Sequence, residues 1–289
     1  MKTSPGEKLF IAFNYLFLSC IAFACLYPFL YIIATSFSSY RAVVSGEVFL
    51  WPVEFSLDAY RQLLIDGQIF LAMRNTVLLT LVGTFLNMFT TVLCSYSLSK
   101  KRLRGRGIFM ALIVFTMMFS GGMIPNFLLI RSLGIMDTYW ALWLSGLVST
   151  YNMIVLRTFF QGIPESLEEA AQIDGASDPC ILVRIVLPLS GAALATITLF
   201  YSVSWWNSYF SPMLYLSTSS KFPLMVRLRS MLDAARNMNV STEHSDIITV
   251  AQETFRAATI LAATLPIICV YPFLQKYFVK GVMIGYVKG

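Results

Sequence analysis

The stretch NTVLLTLVGTFLNMFTTVLCSYSLSKKRLRGR, residues 75–106, combines the two patterns that decide the fold of this 289-residue chain. Its first part, Asn75–Ser99, contains no Asp, Glu, Lys or Arg. A helix of about 20 apolar residues is long enough to cross the hydrocarbon layer of a bilayer. Five cations then follow within seven residues, with no acid among them. The stretch therefore predicts a transmembrane helix that ends in a basic, cytoplasmic loop.

The composition of the whole chain also indicates a membrane protein. Hydrophobic residues make up 57% of the chain and charged residues 12%, and the charged share is about half that of a soluble domain. This argues against a water-soluble enzyme. The net charge of +6 does not indicate nucleic-acid binding, because membrane proteins concentrate Lys and Arg in cytoplasmic loops. The five cysteines have no paired spacing, so neither a disulfide framework nor a metal site is predicted.

Charge-free runs predict an all-α integral membrane protein with six transmembrane helices in a single domain, residues 1–289. The helices are expected at about 10–37, 75–98, 107–130, 138–160, 187–211 and 256–278. Counting outward from the basic loop places both termini in the cytoplasm. The connection 211–254 is then external, and its amphipathic stretch from residue 223 fits a surface helix about as well as a strand.

The cytoplasmic loop between the fourth and fifth helices, residues 163–188, has more local structure than a linker needs. Pro164 and the acids that follow it fit the first turn of a helix that extends to about Ile173. Gly175 can take the positive φ that ends a helix, and Ser177 can cap a second short helix. Two helices joined by a glycine bend form a compact knob that suits a groove on a partner.

The same loop matches the pattern E-A-A-x3-G-x9-I-x-L-P without a gap or a substitution. The matching residues are Glu169, Ala170, Ala171, Gly175, Ile185, Leu187 and Pro188. The loop resembles the coupling loop of the permease subunits of binding-protein-dependent ABC importers. Over nearly its whole length the chain resembles the sugar permeases of the maltose-transporter type, in particular the smaller partner and the branch for complex oligosaccharides. The segments that carry this likeness are 118–125, 205–207 and 275–281.

This resemblance implies a type I ABC importer permease fold with cytoplasmic coupling helices, in the cytoplasmic membrane of a prokaryote. It implies transport of oligosaccharides, including acidic or complex polysaccharide fragments, by alternating access. The implied partners are a second, homologous permease chain, two ATPase subunits and an external solute-binding protein. The chain itself would be no enzyme and would bind no cofactor, since ATP and Mg²⁺ belong to the ATPase and no G-x-x-x-x-G-K-[ST] phosphate loop occurs here.

The resemblance also implies which residues couple the chain to the ATPase. They are Glu169, Ala170, Ala171, Asp174, Gly175, Ile185, Leu187 and Pro188. Glu169 is expected to form a charge-assisted pair with a basic residue of the ATPase cleft. The alternative for Glu169 is a solvated charge at a helix end, worth less than about 1 kcal/mol.

Aromatic and amide side chains in the fourth and fifth helices are candidates for the substrate path. Sugars are recognised by aromatic faces and by groups that replace water, and an asparagine at membrane depth seeks a partner or a wet cavity. The candidates are Tyr151, Asn152, Tyr201, Trp205, Trp206, Asn207 and Tyr209. Trp and Tyr also collect at membrane interfaces, so this cluster fits pore lining and an interface belt equally well.

Two other classes of protein compete with the importer. An ion-coupled secondary transporter of small solutes would carry ionisable residues within its spans and inverted repeats with broken helices. Neither feature is evident, although Gly121, Gly122 and Pro125 are expected to break the third helix near its outer end. A membrane scaffold would have no need of the knob.

Overall fold

The computed structural model describes residues 5–65, 67–241 and 253–269, and these residues are helical apart from loops and one isolated bridge between Ser38 and Phe55. The expected all-α class is therefore confirmed. The chain divides into two compact units, one within residues 1–70 and 227–265 and the other within 71–226 and 266–289. The lone histidine, His244, lies outside the described residues.

The helices are numbered here in chain order. They are α1 (Pro5–Ser36), α2 (Tyr40–Val44), α3 (Asp58–Ile65), α4 (Gly67–Ser99), α5 (Arg106–Met118), α6 (Met123–Ser132), α7 (Tyr139–Ser145), α8 (Thr150–Gln161), α9 (Glu165–Ile173), α10 (Asp178–Leu189), α11 (Gly191–Trp206), α12 (Phe210–Tyr215), α13 (Leu224–Ser241) and α14 (253–269). Helix α10 contains a π-helical turn at Leu182–Val186. The amphipathic stretch after residue 223, for which the sequence left helix and strand open, is the helix α13.

Two of the described helices, α1 and α4, are each long and apolar enough to cross a membrane. Two bent pairs meet the same standard together: α5 with α6, bent by 112°, and α10 with α11, bent by 86°. The described residues thus hold two such helices, or four if each bent pair is one span. The break expected at Gly121 and Gly122 is present, and Gly122 has a φ of +85°. Gly tolerates this left-handed conformation because it lacks a Cβ.

The run 138–160, expected as one helix, is interrupted between Ser145 and Thr150. The side-chain amide of Asn87 in α4 donates to the carbonyl oxygens of Gly146 and Leu147, at 2.6 and 2.8 Å. These bonds satisfy backbone groups that a break would otherwise leave unpaired in an apolar environment. The absence of charged residues in Thr138–Leu156 therefore identified an apolar segment correctly. It did not show that the helix breaks, because the break depends on hydrogen bonds from Asn87 on another helix.

The fifth expected helix also differs in its bounds, whereas the end of the sixth lies outside the described residues. The fifth, expected at 187–211, is straight only as α11, because the chain bends at Ser190 and the helix ends at Trp206. Of the sixth, expected at 256–278, the structure describes the part up to residue 269 within α14.

In the first unit, a small compact cap closes the end of α1. Ala34, Ala42 and Val48 form its buried cluster. The hydroxyl of Tyr60 donates to the hydroxyl oxygen of Ser36 at 2.9 Å. Between Leu9 and Leu30 the side chains of α1 are exposed, so this helix offers its apolar surface to lipid or to another chain.

In the second unit, α4 lies between two buried apolar clusters. Core A contains Leu79, Ile130, Ala141, Leu142, Trp143, Trp205, Tyr215 and Leu216. Core B contains Tyr96, Leu156, Phe160, Ile181, Leu182, Val186, Ile197 and Tyr201. Both include side chains from α4 and α11, which makes these two helices the frame of the unit.

Candidate functional site

The loop 163–188 folds as the sequence predicts, as two helices joined at a glycine. Helix α9 begins after Pro164, and Gly175 takes a φ of +80° just beyond its end. The backbone N–H of Ala176 then donates to the carbonyl of Ala171 at 2.9 Å, which satisfies the end of α9. Ser177 precedes α10 with extended backbone, but its hydroxyl makes no capping hydrogen bond, so that detail of the prediction was wrong.

One group of the expected coupling residues, which includes part of the E-A-A pattern, is exposed on this loop. Glu169, Ala170, Asp174 and Gly175 are all exposed, and Ile173 beside them is 86% exposed. Glu169 makes no ion pair with any residue of the described ranges. A carboxylate and a large apolar side chain therefore stand together on the surface without a partner from the described part of this chain.

A second group of the pattern residues packs inward. Ala171, Ile185 and Leu187 are half-buried and lie against core B, whereas Pro188 is exposed just before the bend into α11. The pattern thus serves two purposes. Its first residues form a surface, and its last ones fix that surface to the core of the unit.

Three ion pairs join the loop to the basic segment that follows α4. Lys100 pairs with Glu168, Lys101 with Glu165 at 3.1 Å, and Arg102 with Asp178. The hydrogen bond from Arg102 to the Asp178 carboxylate raises the pKa of the guanidinium. From the sequence these cations predict topology alone, and the ion pairs were not expected. The signal that could have indicated them is that the acids and the cations lie in loops expected on the same side of the membrane.

The three pairs differ in burial. The side chains of Lys100 and Glu168 are 15% and 11% exposed, whereas those of Lys101 and Glu165 are 78% and 64% exposed. The ammonium of Lys100 also lies 4.3 Å from the centroid of the Tyr96 ring. Such a cation–π contact is stronger where water is excluded. Lys100 and Glu168 are therefore the pair that solvent screens least.

Two of the seven candidates for a substrate path, Tyr201 and Trp205, lie together. The Tyr201 hydroxyl is 2.8 Å from Thr91 Oγ1, and the Trp205 indole N–H donates to Asn87 Oδ1 at 2.5 Å. Both side chains line a cavity of about 300 Å³. The polar residues that share its lining are Asn87, Ser145, Ser149, Ser204, Ser208 and Ser211.

The other five candidates do not join that cavity. Trp206 lines a different, largely apolar cavity beside Val77 and Leu81. Asn152 is buried and Tyr151 is 57% exposed. Two further candidates are satisfied locally: Asn207 donates to Val203 O at 2.9 Å, and Tyr209 to Met213 Sδ at 2.9 Å.

A cluster of polar residues, here called the polar junction, joins several loops of the second unit near the start of α4, away from the ion pairs at the end of that helix. Asp137 accepts hydrogen bonds from the backbone N–H groups of Ser217 and Thr218 at 2.9 and 3.0 Å, and from Lys221 Nζ at 2.8 Å. Asn75 Nδ2 donates to Ser220 O at 2.7 Å. The hydrogen bond from Lys221 lowers the pKa of Asp137 most, and those from the Thr218 hydroxyl and the backbone N–H groups of Thr218 and Ser217 lower it further. This pKa therefore lies well below its usual range.

Within the described residues no group of three or more His, Cys, Asp or Glu side chains is placed to hold a metal ion.

Residues 69–284, which include the loop with this pattern, match the family of binding-protein-dependent transport system inner membrane components. The chain belongs to this family. It is therefore a membrane component of a transport system that works with a binding protein, and the resemblance stated from the loop is confirmed.

Several members of this family align with the chain over almost its full length. It is 45% identical to the polygalacturonan/rhamnogalacturonan transport system permease protein YtcP of Bacillus subtilis, over 98% of this chain and 99% of that protein. It is 39% identical to the protein LplC of the same organism, over 100% of this chain and 98% of that protein. It is also similar to the arabinooligosaccharides transport system permease protein AraQ of Halalkalibacterium halodurans, at 27% identity over 100% of this chain and 99% of that protein.

The fold is also that of a solved member of the same class. A chain of a bacterial ABC transporter involved in the import of the acidic polysaccharide alginate superposes with a TM-score of 0.88 at 37% identity. The match covers 96% of this chain and 99% of that one. The chain therefore has an ABC importer permease fold.

Proposed function

We propose that this chain is the permease subunit that moves acidic oligosaccharides, of the galacturonan type, across the cytoplasmic membrane by alternating access. In this proposal the loop 163–188 lies in the cytoplasm and couples the permease to a separate ATPase. The observation that carries it is the exposed Glu169, which has no ion-pair partner among the described residues, beside the exposed Ile173. A carboxylate next to an apolar side chain suits a partner groove that offers one cation and an apolar wall.

The substrate class rests on the relatives and on the cavity beside Trp205. The name of one relative, YtcP, refers to polygalacturonan and rhamnogalacturonan, and the name of the solved structure refers to the acidic polysaccharide alginate. The cavity of about 300 Å³ combines an indole, a phenol and several serine hydroxyls, and among the described residues no charged side chain lines it. It therefore suits the hydroxyl-bearing ring of a sugar, while recognition of the carboxylates falls to other surfaces.

The proposed assembly contains this chain, a second homologous permease, two ATPase subunits and an external solute-binding protein. ATP and Mg²⁺ would be bound by the ATPase subunits. The chain would contribute one permease domain with six transmembrane helices, both of its termini in the cytoplasm. The basic segment after α4 supports this orientation, because Lys and Arg concentrate on the cytoplasmic side. An ion-coupled secondary transporter is not favoured, because the family works with a binding protein.

The test uses the tagged full-length chain, expressed with its native partners and reconstituted in vesicles. We expect an ATPase and a sister permease to copurify, and oligogalacturonide with its binding protein to stimulate ATP hydrolysis. Glu169→Ala should abolish the stimulation while leaving the amount of inserted chain unchanged. Glu165→Gln, an exposed acid of the same helix, is the matched control. Absence of a copurifying ATPase, or full stimulation in Glu169→Ala, would contradict the proposal.

A further inference from the structure

We propose that the buried pair of Lys100 and Glu168 is a positioning contact that passes movement of α9 directly to α4. The inference rests on the proposed coupling function and adds to it a second path by which movement of the loop 163–188 reaches the membrane helices. The covalent chain already joins the loop 163–188 to its flanking helices α8 and α11. The buried pair joins the same loop to a helix that is distant in sequence.

The position of the two residues makes the contact direct. Lys100 immediately follows Ser99, the last residue of α4, and Glu168 lies within the nine-residue helix α9. Glu168 is adjacent to the exposed Glu169, so any force on Glu169 reaches Glu168 within one residue. The guanidinium of Arg157 in α8 supports the same end of α4, donating to Leu98 O at 2.9 Å.

Burial distinguishes this pair from its neighbours. An exposed ion pair contributes little because water and salt screen it, and this applies to Lys101 with Glu165. Removing one partner of a buried pair leaves a charge without compensation. The ring of Tyr96, itself buried, covers the ammonium of Lys100 and packs edge-to-face on Phe160 at 6.5 Å. The cation is therefore held by a carboxylate and a ring whose own positions are fixed.

Helix α4 continues the connection toward the cavity. Asn87, Thr91 and Ser95 are buried and follow each other at four-residue intervals, which places them on one face of the helix. Ser95 donates to Met153 O at 2.9 Å, and Thr91 and Asn87 contact Tyr201 and Trp205. A displacement of the Lys100 end of α4 is thus transmitted through hydrogen bonds to two residues that line the cavity.

The first experiment compares two matched pairs in the reconstituted transporter, with the sugar and its binding protein present. The variants are Lys100→Gln and Glu168→Gln, with Lys101→Gln and Glu165→Gln as controls that carry the same change in the same two segments. The measurements are the amount of assembled complex, the ATPase rate, and sugar imported per ATP hydrolysed. We expect the buried-pair variants to lower import per ATP by about tenfold, a typical coupling between sites, and the controls to match the wild type.

The second experiment replaces Lys100 and Glu168 by cysteine in a chain whose native cysteines are removed, and joins them with a short reversible thiol cross-linker. If the pair stays together throughout the cycle, the linked protein imports sugar and reduction of the linker lowers import per ATP. This comparison also serves if the glutamine variants fail to assemble, because both states come from one folded preparation.

Three results would overturn the inference: wild-type import per ATP in Lys100→Gln and Glu168→Gln, equal losses in the control pair, or a linked protein that cannot transport. Each presupposes a wild-type complex whose ATPase responds to the sugar. A wild-type complex without that response would instead refute the proposed function, so the two failures are distinguishable.

Discussion

The indole N–H of Trp205 donates a hydrogen bond of 2.5 Å to the side-chain oxygen of Asn87, which is 1% exposed. The amide nitrogen of the same asparagine donates to the carbonyls of Gly146 and Leu147. One side chain thereby connects α4, α11 and the break between α7 and α8. A polar residue inside an apolar protein is tolerated here because both ends of its amide are satisfied.

Replacing this asparagine should destabilise the chain more than replacing an exposed one. Asn87→Leu leaves the Trp205 N–H and the Gly146 carbonyl without their partner, whereas the Leu147 carbonyl keeps the Thr90 hydroxyl. We expect a loss of about 2–4 kcal/mol, since each buried unsatisfied group costs about 1–3 kcal/mol. Thermal unfolding of the detergent-purified complex measures it, with Asn126→Leu as the exposed control. Equal midpoint temperatures for both variants would show that the hydrogen bonds of Asn87 contribute nothing.

Gly83 should tolerate no side chain. A Cβ at this position would lie 2.5 Å from Cε2 of Trp205, and the indole has little freedom to move away because Asn87 holds its nitrogen. We expect Gly83→Ala to cost about 1–3 kcal/mol, as overpacking does, and to reduce sugar uptake. Gly107→Ala is the control, because no atom in the described part of the chain lies within 4 Å of its Cβ position. Wild-type stability and uptake in Gly83→Ala would contradict the packing described.

The bend at Gly175 gives a graded prediction. Its φ is +80° and no atom of the described residues lies within 4 Å of its Cβ position, so within this chain a substitution there acts through the backbone. We expect stimulated ATPase activity to fall in the order glycine, Gly175→Asn, Gly175→Ala, because Asn adopts left-handed backbone more readily than Ala. Insertion into the membrane, measured by the amount of purified chain, should stay constant. Equal activity of the two variants would exclude the left-handed backbone as the cause.

The junction at Asp137 predicts a pH dependence of stability. Its pKa in the folded protein is lowered, chiefly by Lys221, so its stabilisation is present above the unfolded value of about 4. The stabilisation is lost as the pH falls from there toward the folded value. Asp137→Asn suits the test, because Asn accepts the residue's left-handed φ of +57°. We expect a lower unfolding temperature than wild type at pH 7, and a difference that shrinks below about pH 4.

The control for Asp137 is Glu47→Gln, at an exposed acid that forms no ion pair with any residue in the described part of the chain. Its unfolding temperature should follow the wild type at every pH. A difference between Asp137→Asn and wild type that stays constant down to pH 3 would contradict the assignment, because the carboxylate of the unfolded chain, with a pKa of about 4, takes up a proton in this range while that of the folded protein stays ionised.

Local features of the fold were predictable where the cause lies within a few residues. The end of α9 at Gly175 and the break at Gly122 follow from the φ that only glycine adopts easily. The break after Ser145 was not predictable, because it depends on Asn87, which lies far away in the sequence. Asn207 was expected as a pore candidate, yet it bonds to its own helix at Val203. Composition alone does not tell these two asparagines apart.

By itself the sequence determined that this is a membrane protein and which residues form its two-helix loop. Long charge-free runs require lipid, and the spacing from Glu169 to Pro188 fixes the family and the two-helix knob. Only the tertiary structure decided which of Glu168 and Glu169 is buried and which is exposed. They are consecutive and chemically identical, but adjacent residues of a helix point about 100° apart. The packing of α9 turns Glu168 inward onto Lys100 and leaves Glu169 exposed.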